Sequence, residues 1–93
     1  MNAPLPITHE EAVRHFVADV EGHRCVLEYD LAGTVMTITH TGVPEPVGGR
    51  GIAAALTREA FETARSRGWR IVPACSYARV FMQRHPEYAD LLA

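Results

Sequence analysis

The sequence predicts an α+β fold: an antiparallel meander of strands, then a helix, a strand paired in parallel, and a short C-terminal helix. Three observations carry this reading. The first forty residues contain three short β-branched or apolar runs divided by glycine turns. After residue 51 the apolar spacing changes from the period of a strand to that of a helix. One further apolar run, residues 69–75, follows that helix. If it shares a sheet with the third run and lies parallel to it, the crossover is right-handed.

The elements follow in chain order. Residues 1–8 hold two prolines and little apolar content, and read as a flexible leader before a single domain at 9–93. "AVRHFVADV" (12–20) is the first strand and stops at the glycine turn "EGH". "RCVLEYDL" (24–31) is the second, and after "AG" comes the third, "TVMTITHT" (34–41). Alternation in the third run sends Val35, Thr37 and Thr39 one way and Met36, Ile38 and His40 the other. From residue 52, Ile52, Ala53, Leu56, Ala60 and Ala64 fall within roughly 120° of a helical wheel, opposite Arg58, Glu59, Glu62 and Arg65. Gly68 is placed to end that helix. "WRIVPAC" (69–75) reads as a buried strand, and Ser76 as the cap of a last helix. Tyr77, Val80, Phe81 and Arg84 line one side of that helix and Pro86 stops it.

Composition narrows the function. At 93 residues there is room for one domain, which buries only about 60–65% of its unfolded surface. A net charge of -2 argues against nucleic acid or an anionic membrane as a partner. Cys25 and Cys75 lie far apart, and His9, His15, His23 and His85 show no ligand spacing, so neither a disulfide framework nor a metal site is expected. No apolar run approaches the ~18 residues of a membrane span, and "MNAPLPITHE" lacks the pattern of a secretory signal. The expectation is a cytoplasmic protein.

The segment "VPEPVGGRGIAAAL" (43–56) sits where the third strand gives way to the helix. α/β proteins place ligands at the carboxyl ends of strands. A helix start offers unpaired N–H groups and partial positive charge, which suit a phosphate. Gly48, Gly49 and Gly51 allow close approach, and Arg50 adds a cation. No Lys-Ser/Thr follows, which excludes a nucleotide-triphosphatase loop, and Gly-x-Gly-x-x-Gly is absent, which leaves a dinucleotide fold unsupported. From the residues alone the loop is either a phosphate cradle or a structural turn.

"HTGVP" (40–44), "GGRGIA" (48–53), Cys75 and "HPEY" (85–88) together resemble a minimal, single-domain subfamily of the GNAT N-acetyltransferases. The resemblance spans residues 9–91 or so, and the GNAT core has the element order read above. It implies that acetyl-coenzyme A is the co-substrate, with its pyrophosphate on the amides of Gly48, Gly49, Arg50, Gly51, Ile52 and Ala53. The backbone near Val43 would pair with the pantetheine arm like an added strand. Two positions depart from the pattern. Gly48 stands where the family carries Arg or Gln, and Phe81 where larger members carry the tyrosine that protonates the leaving thiolate. Arg84 lies near the expected path of the coenzyme, or is a solvated helix-end cation.

Acetyl transfer needs a nucleophile, a base and a proton for the leaving thiolate. Cys75 falls where the resemblance places the thioester, as an acyl carrier or a packing residue. The helix start after it favours a thiolate. His40 is a candidate general base, or is a hydrogen-bonded core residue. Tyr77 replaces the missing phenol, or only anchors the last helix. Cys25, Phe61 and Trp69 are expected to pack. The leading reading is a small acyl-coenzyme A-dependent N-acetyltransferase acting on an unknown amine. The open acceptor side of so short a chain suits a large substrate such as a protein. The alternative is a non-catalytic acyl-coenzyme A binding or sensing module.

Overall fold

The computed structural model describes residues 5–93. Its five-stranded sheet runs in chain order: β1 (Thr8–Glu10), β2 (His15–Val20), β3 (His23–Ala32), β4 (Val35–Gly42) and β5 (Arg70–Pro73). β1 to β4 are antiparallel neighbours, and β5 lies parallel to β4 with Val35 opposite Arg70 and Ile38 opposite Pro73. Helix α1 (Ile52–Arg67) forms the crossover, and α2 (Ser76–Arg84) with a 3-10 turn at Pro86–Leu91 follows. The α+β order of meander, helix, parallel strand and short helix is the one the sequence predicts.

Strand alternation puts Phe16, Ala18, Cys25, Leu27, Tyr29, Met36 and Ile38 in one buried cluster with Ile71 of β5. Leu56, Ala60, Phe61 and Ala64 of α1 close over it, joined by Ala78, Phe81 and Met82 of α2. Phe61 is the centre of the helix layer. Its ring meets Phe81 and Tyr88 edge-on, at 5.4 Å and 5.3 Å between centroids, the geometry that ring quadrupoles favour. α1 ends where Gly68 enters the left-handed region: its N–H donates to the Arg65 carbonyl at 3.3 Å, and that of Trp69 to Ala64 at 2.8 Å. The buried Thr57 hydroxyl is satisfied by the Ala53 carbonyl at 2.8 Å.

The structure departs from the sequence reading at several element ends. Leu5 and Ile7 pack against the core and Thr8 opens β1, so a leader through residue 8 extends too far; residues 1–4 lie outside the described residues. The run at 12–20 becomes a strand only at His15, because Glu11–Val13 form a 3-10 turn closed by Arg14 at φ 59°. The strand read at 69–75 spans Arg70–Pro73. Cys75, not Ser76, is the residue before α2, and it makes no side-chain capping bond.

The largest departure is in β4. His40 pairs with Glu28 while Ile38 pairs with the next residue, Tyr29, so Thr39 is one residue too many for the ladder. Its hydroxyl donates to the Glu28 carbonyl at 3.3 Å. One extra residue reverses the alternation beyond it. Thr41 thus turns inward to meet Cys75, and His40 stands exposed instead of on the apolar side with Met36 and Ile38.

Candidate functional site

The parallel pairing of β4 with β5 ends at Ile38 and Pro73. One more bond crosses, from the Cys75 N–H to the Ile38 carbonyl at 2.9 Å. From Thr39 to Gly42 no strand among the described residues accompanies β4 on that side, so its edge there carries no ladder up to the glycine loop. The cause is that β5 ends at Pro73 and the chain turns into α2, so β4 runs on past its parallel partner.

After β4, a 3-10 turn at Glu45–Val47 is anchored by the buried Val47. The Gly48 N–H donates back to the Glu45 carbonyl at 3.0 Å. Gly49 and Gly51 follow with φ of 75° and 77°, a conformation that side-chain-bearing residues rarely adopt. A Cβ on either would meet nothing within 4 Å, so backbone conformation rather than space calls for glycine there. α1 then begins on Gly51 with no side-chain cap and no acidic residue in its first turn. Its first intrahelical bond runs from the Ala55 N–H to the Gly51 carbonyl at 3.0 Å. The N–H groups of Ile52, Ala53 and Ala54 therefore have no partner in the helix, and the positive end of its dipole is uncompensated.

Those amides border a cavity of about 240 Å³ lined by Val43, Gly48, Gly49, Gly51, Ile52, Ala53, Ala54 and Tyr77. The structure thus brings together nearly all of the loop residues singled out from sequence, with two corrections. The Gly48 N–H is already bonded, so Gly48 borders the cavity but offers it no free donor. Arg50 does not line the cavity, because its guanidinium pairs with the Glu21 carboxylate in the β2–β3 turn. A second cavity, of about 230 Å³, is lined by Ala54, Tyr77, Val80, Phe81, Arg84 and His85. It shares Ala54 and Tyr77 with the first, and holds all four residues that the helical spacing put on one side of α2. Only Phe81 of these four is core; the buried stripe of α2 is Ala78, Phe81 and Met82. Ala54 and His85 were not foreseen: a small residue at the third helical position is visible only once a second helix packs beside it.

Cys75 stands at the start of α2, its thiol 3.7 Å from the Thr41 hydroxyl. Burial raises its pKa, but hydrogen bonding from the Ala78 N–H, the Thr41 hydroxyl and the Tyr77 N–H outweighs burial and brings the thiol below its usual value. Cys25 is the opposite case: it is fully buried on β3, and burial pushes its thiol up. Tyr77 keeps 39% of its surface exposed and faces both cavities. Phe81 is 4% exposed and has no proton to give. His40 is not brought to Cys75: its Nε2 lies over Gly42, within 2.9 Å of where a Cβ on that glycine would be. Among the described residues no group of three or more His, Cys, Asp or Glu is arranged to hold a metal, and no helix is long and apolar enough to cross a membrane.

The class of protein is given by comparison with known sequences, in agreement with the α+β order and the glycine-rich helix start. Residues 15–91 match the GCN5-related N-acetyl-transferase family, and the chain belongs to it. Protein NATD1 of Bos taurus is 30% identical over 86 residues, covering 89% of this chain and 76% of its own. Protein NATD1 of Gallus gallus is 28% identical over the same length, covering 89% and 78%. A GCN5-like protein of Staphylococcus aureus, solved by NMR in solution, superimposes with a TM-score of 0.76 at 26% identity, covering 99% of this chain and 91% of that one.

Proposed function

We propose that the protein transfers the acetyl group of acetyl-coenzyme A to an amine, with the glycine loop and the start of α1 as the site for the coenzyme's pyrophosphate. The observation that carries this reading is the uncapped, acid-free first turn of α1 opening on a cavity. Apart from the Tyr77 phenol the walls there are backbone and apolar side chains, so the donors for an anion are chiefly the N–H groups at the start of α1. The unpaired edge of β4 toward Val43 offers the pantetheine arm a strand to pair with. The second cavity, which shares Ala54 and Tyr77 with the first, lies along α2 as far as Arg84 and His85.

With the thioester at Cys75, as the family resemblance implies, two routes are open. In the covalent route the Cys75 thiolate attacks the thioester carbon, the carbon–sulfur bond of the coenzyme breaks, and the acetyl group rests on Cys75. The acceptor's nitrogen then attacks that carbon and the Cys75 thiolate leaves. The lowered thiol pKa favours this route by raising the thiolate fraction. In the direct route the nitrogen attacks the coenzyme thioester itself. In either, the departing coenzyme thiolate takes a proton, and Tyr77 is the phenol that borders the cavity. The proton lost by the acceptor amine goes to solvent, since His40 is exposed on the side of β4 away from Cys75.

Calorimetry with coenzyme A and acetyl-coenzyme A on the wild type and Gly51→Glu tests the reading. Binding of both by the wild type, abolished by a carboxylate at the helix start, is the result expected. No heat with either coenzyme, or binding that survives Gly51→Glu, removes the proposed site. Mass spectrometry after incubation with acetyl-coenzyme A then separates the routes: an added acetyl on Cys75 supports the covalent one, and its absence leaves only direct transfer.

A further inference from the structure

The one cation in the glycine loop is held by a carboxylate from a distant part of the chain. Arg50 pairs with Glu21, and neither belongs to the cavity wall although Gly49 and Gly51, on either side of Arg50, do. Glu21 occupies the two-residue turn between β2 and β3, where Val20 pairs with His23. Both turn residues have positive φ, 50° at Glu21 and 80° at Gly22. Such a turn favours asparagine, aspartate or glycine at its first position, and glutamate there is strained. A residue that opposes its local backbone, and reaches across to the loop's only cation, calls for an explanation other than turn formation.

We propose that Glu21 is a positioning residue for Arg50, competing with the phosphates of the coenzyme for its guanidinium, so that binding requires Arg50 to exchange one partner for the other. This rests on the coenzyme reading above. A free carboxylate beside the loop repels an incoming anion, and a paired one occupies the cation that would attract it. A pyrophosphate carries more charge than one carboxylate and sits at the helix start as well, so it wins the exchange, at an affinity below what the loop alone would give. Arg50 holds the Glu21 carboxyl below its usual range, by hydrogen bonding first and charge second. The carboxylate is thus ionised throughout neutral pH, and the ligand rather than protonation breaks the pair. A ligand without phosphate has nothing to offer Arg50, so the device acts on phosphate-bearing ligands alone.

The test is calorimetry with coenzyme A and with S-acetylpantetheine, on wild type, Glu21→Gln, Arg50→Ala and the double variant. Exposed ion pairs of this kind set the scale of the effect. Glu21→Gln is expected to tighten coenzyme A roughly two- to fivefold at low salt, with less gain at high salt, and to leave S-acetylpantetheine unchanged. In the Arg50→Ala background only the smaller gain from removing a free carboxylate's repulsion should remain. Glu21→Asn, which suits the turn better, should give the same gain together with a higher melting temperature. Unchanged or weaker coenzyme A binding by Glu21→Gln, or a gain that persists in full without Arg50, overturns this inference and leaves the coenzyme site standing. A wild type that binds no coenzyme A overturns both.

Discussion

Gly51→Ala isolates what the glycine loop requires of its backbone. Gly51 has φ 77° and ψ 15°, and a Cβ there would meet nothing within 4 Å. The substitution therefore adds no clash and removes no contact, and its whole cost is conformational. An L-residue forced into the left-handed region costs roughly 1–2 kcal/mol, which for a domain of this size lowers the melting temperature by on the order of 4–8 °C per kcal/mol. The alternative open to the loop is to abandon the conformation, which would turn the Gly51 carbonyl away from the Ala55 N–H it now accepts at 3.0 Å. Urea unfolding gives the stability loss, and coenzyme A calorimetry gives the second half of the prediction. If the loop holds its shape, binding changes little while stability falls; if it rearranges, binding is lost as well. An alanine variant as stable as the wild type refutes the claim that the left-handed conformation is what glycine supplies here.

Other expectations follow from named contacts. Phe61→Ala removes a fully buried ring wedged against Phe81 and Tyr88, and is expected to cost about 3–5 kcal/mol in urea unfolding. Cys75 should react with iodoacetamide well before Cys25, and its reaction midpoint should fall at lower pH than that of a free thiol; peptide mapping that finds equal rates would contradict the environments described. Burial is the main cause that holds His9 below its ordinary value of 6.5, against the pull of Glu11. His9 also stacks on Phe16 at 4.0 Å and hydrogen-bonds the Tyr29 hydroxyl at 2.6 Å. Its lowered pKa favours the neutral ring in the fold. Its share of stability is therefore complete above pH 6.5 and lost as pH falls toward the lower folded value. Melting temperatures from pH 7.5 to 5 should decline more in the wild type than in His9→Gln.

The element order was legible because each segment's pattern agrees with its neighbours. The β-branched runs divide at glycine turns, and α1 shows its buried stripe and its Gly68 closure openly. The glycine loop was legible for the same reason, with Val43, Gly48, Gly49, Gly51, Ile52 and Ala53 all on the cavity wall. What stayed hidden depends on contacts between segments far apart in the chain. No pattern within "TVMTITHT" marks Thr39 as surplus, since a bulge exists only relative to a partner strand, and the side His40 faces changes with it. Likewise, Arg50 reads as a cation for phosphate until the β2–β3 turn places Glu21 beside it. Short elements stabilised mainly by their neighbours, such as β1 and the turn at Glu11–Val13, carry too few residues to show a period.

The central claim is that free amides at the start of α1 receive the pyrophosphate of coenzyme A. Backbone amide resonances followed by NMR during a coenzyme A titration test it residue by residue. The account predicts the largest shifts at Gly49, Arg50, Gly51, Ile52, Ala53 and Ala54, with Gly48 less affected because its N–H stays on the Glu45 carbonyl. Shifts that leave these amides unmoved, or that centre on another face of the sheet, would contradict it.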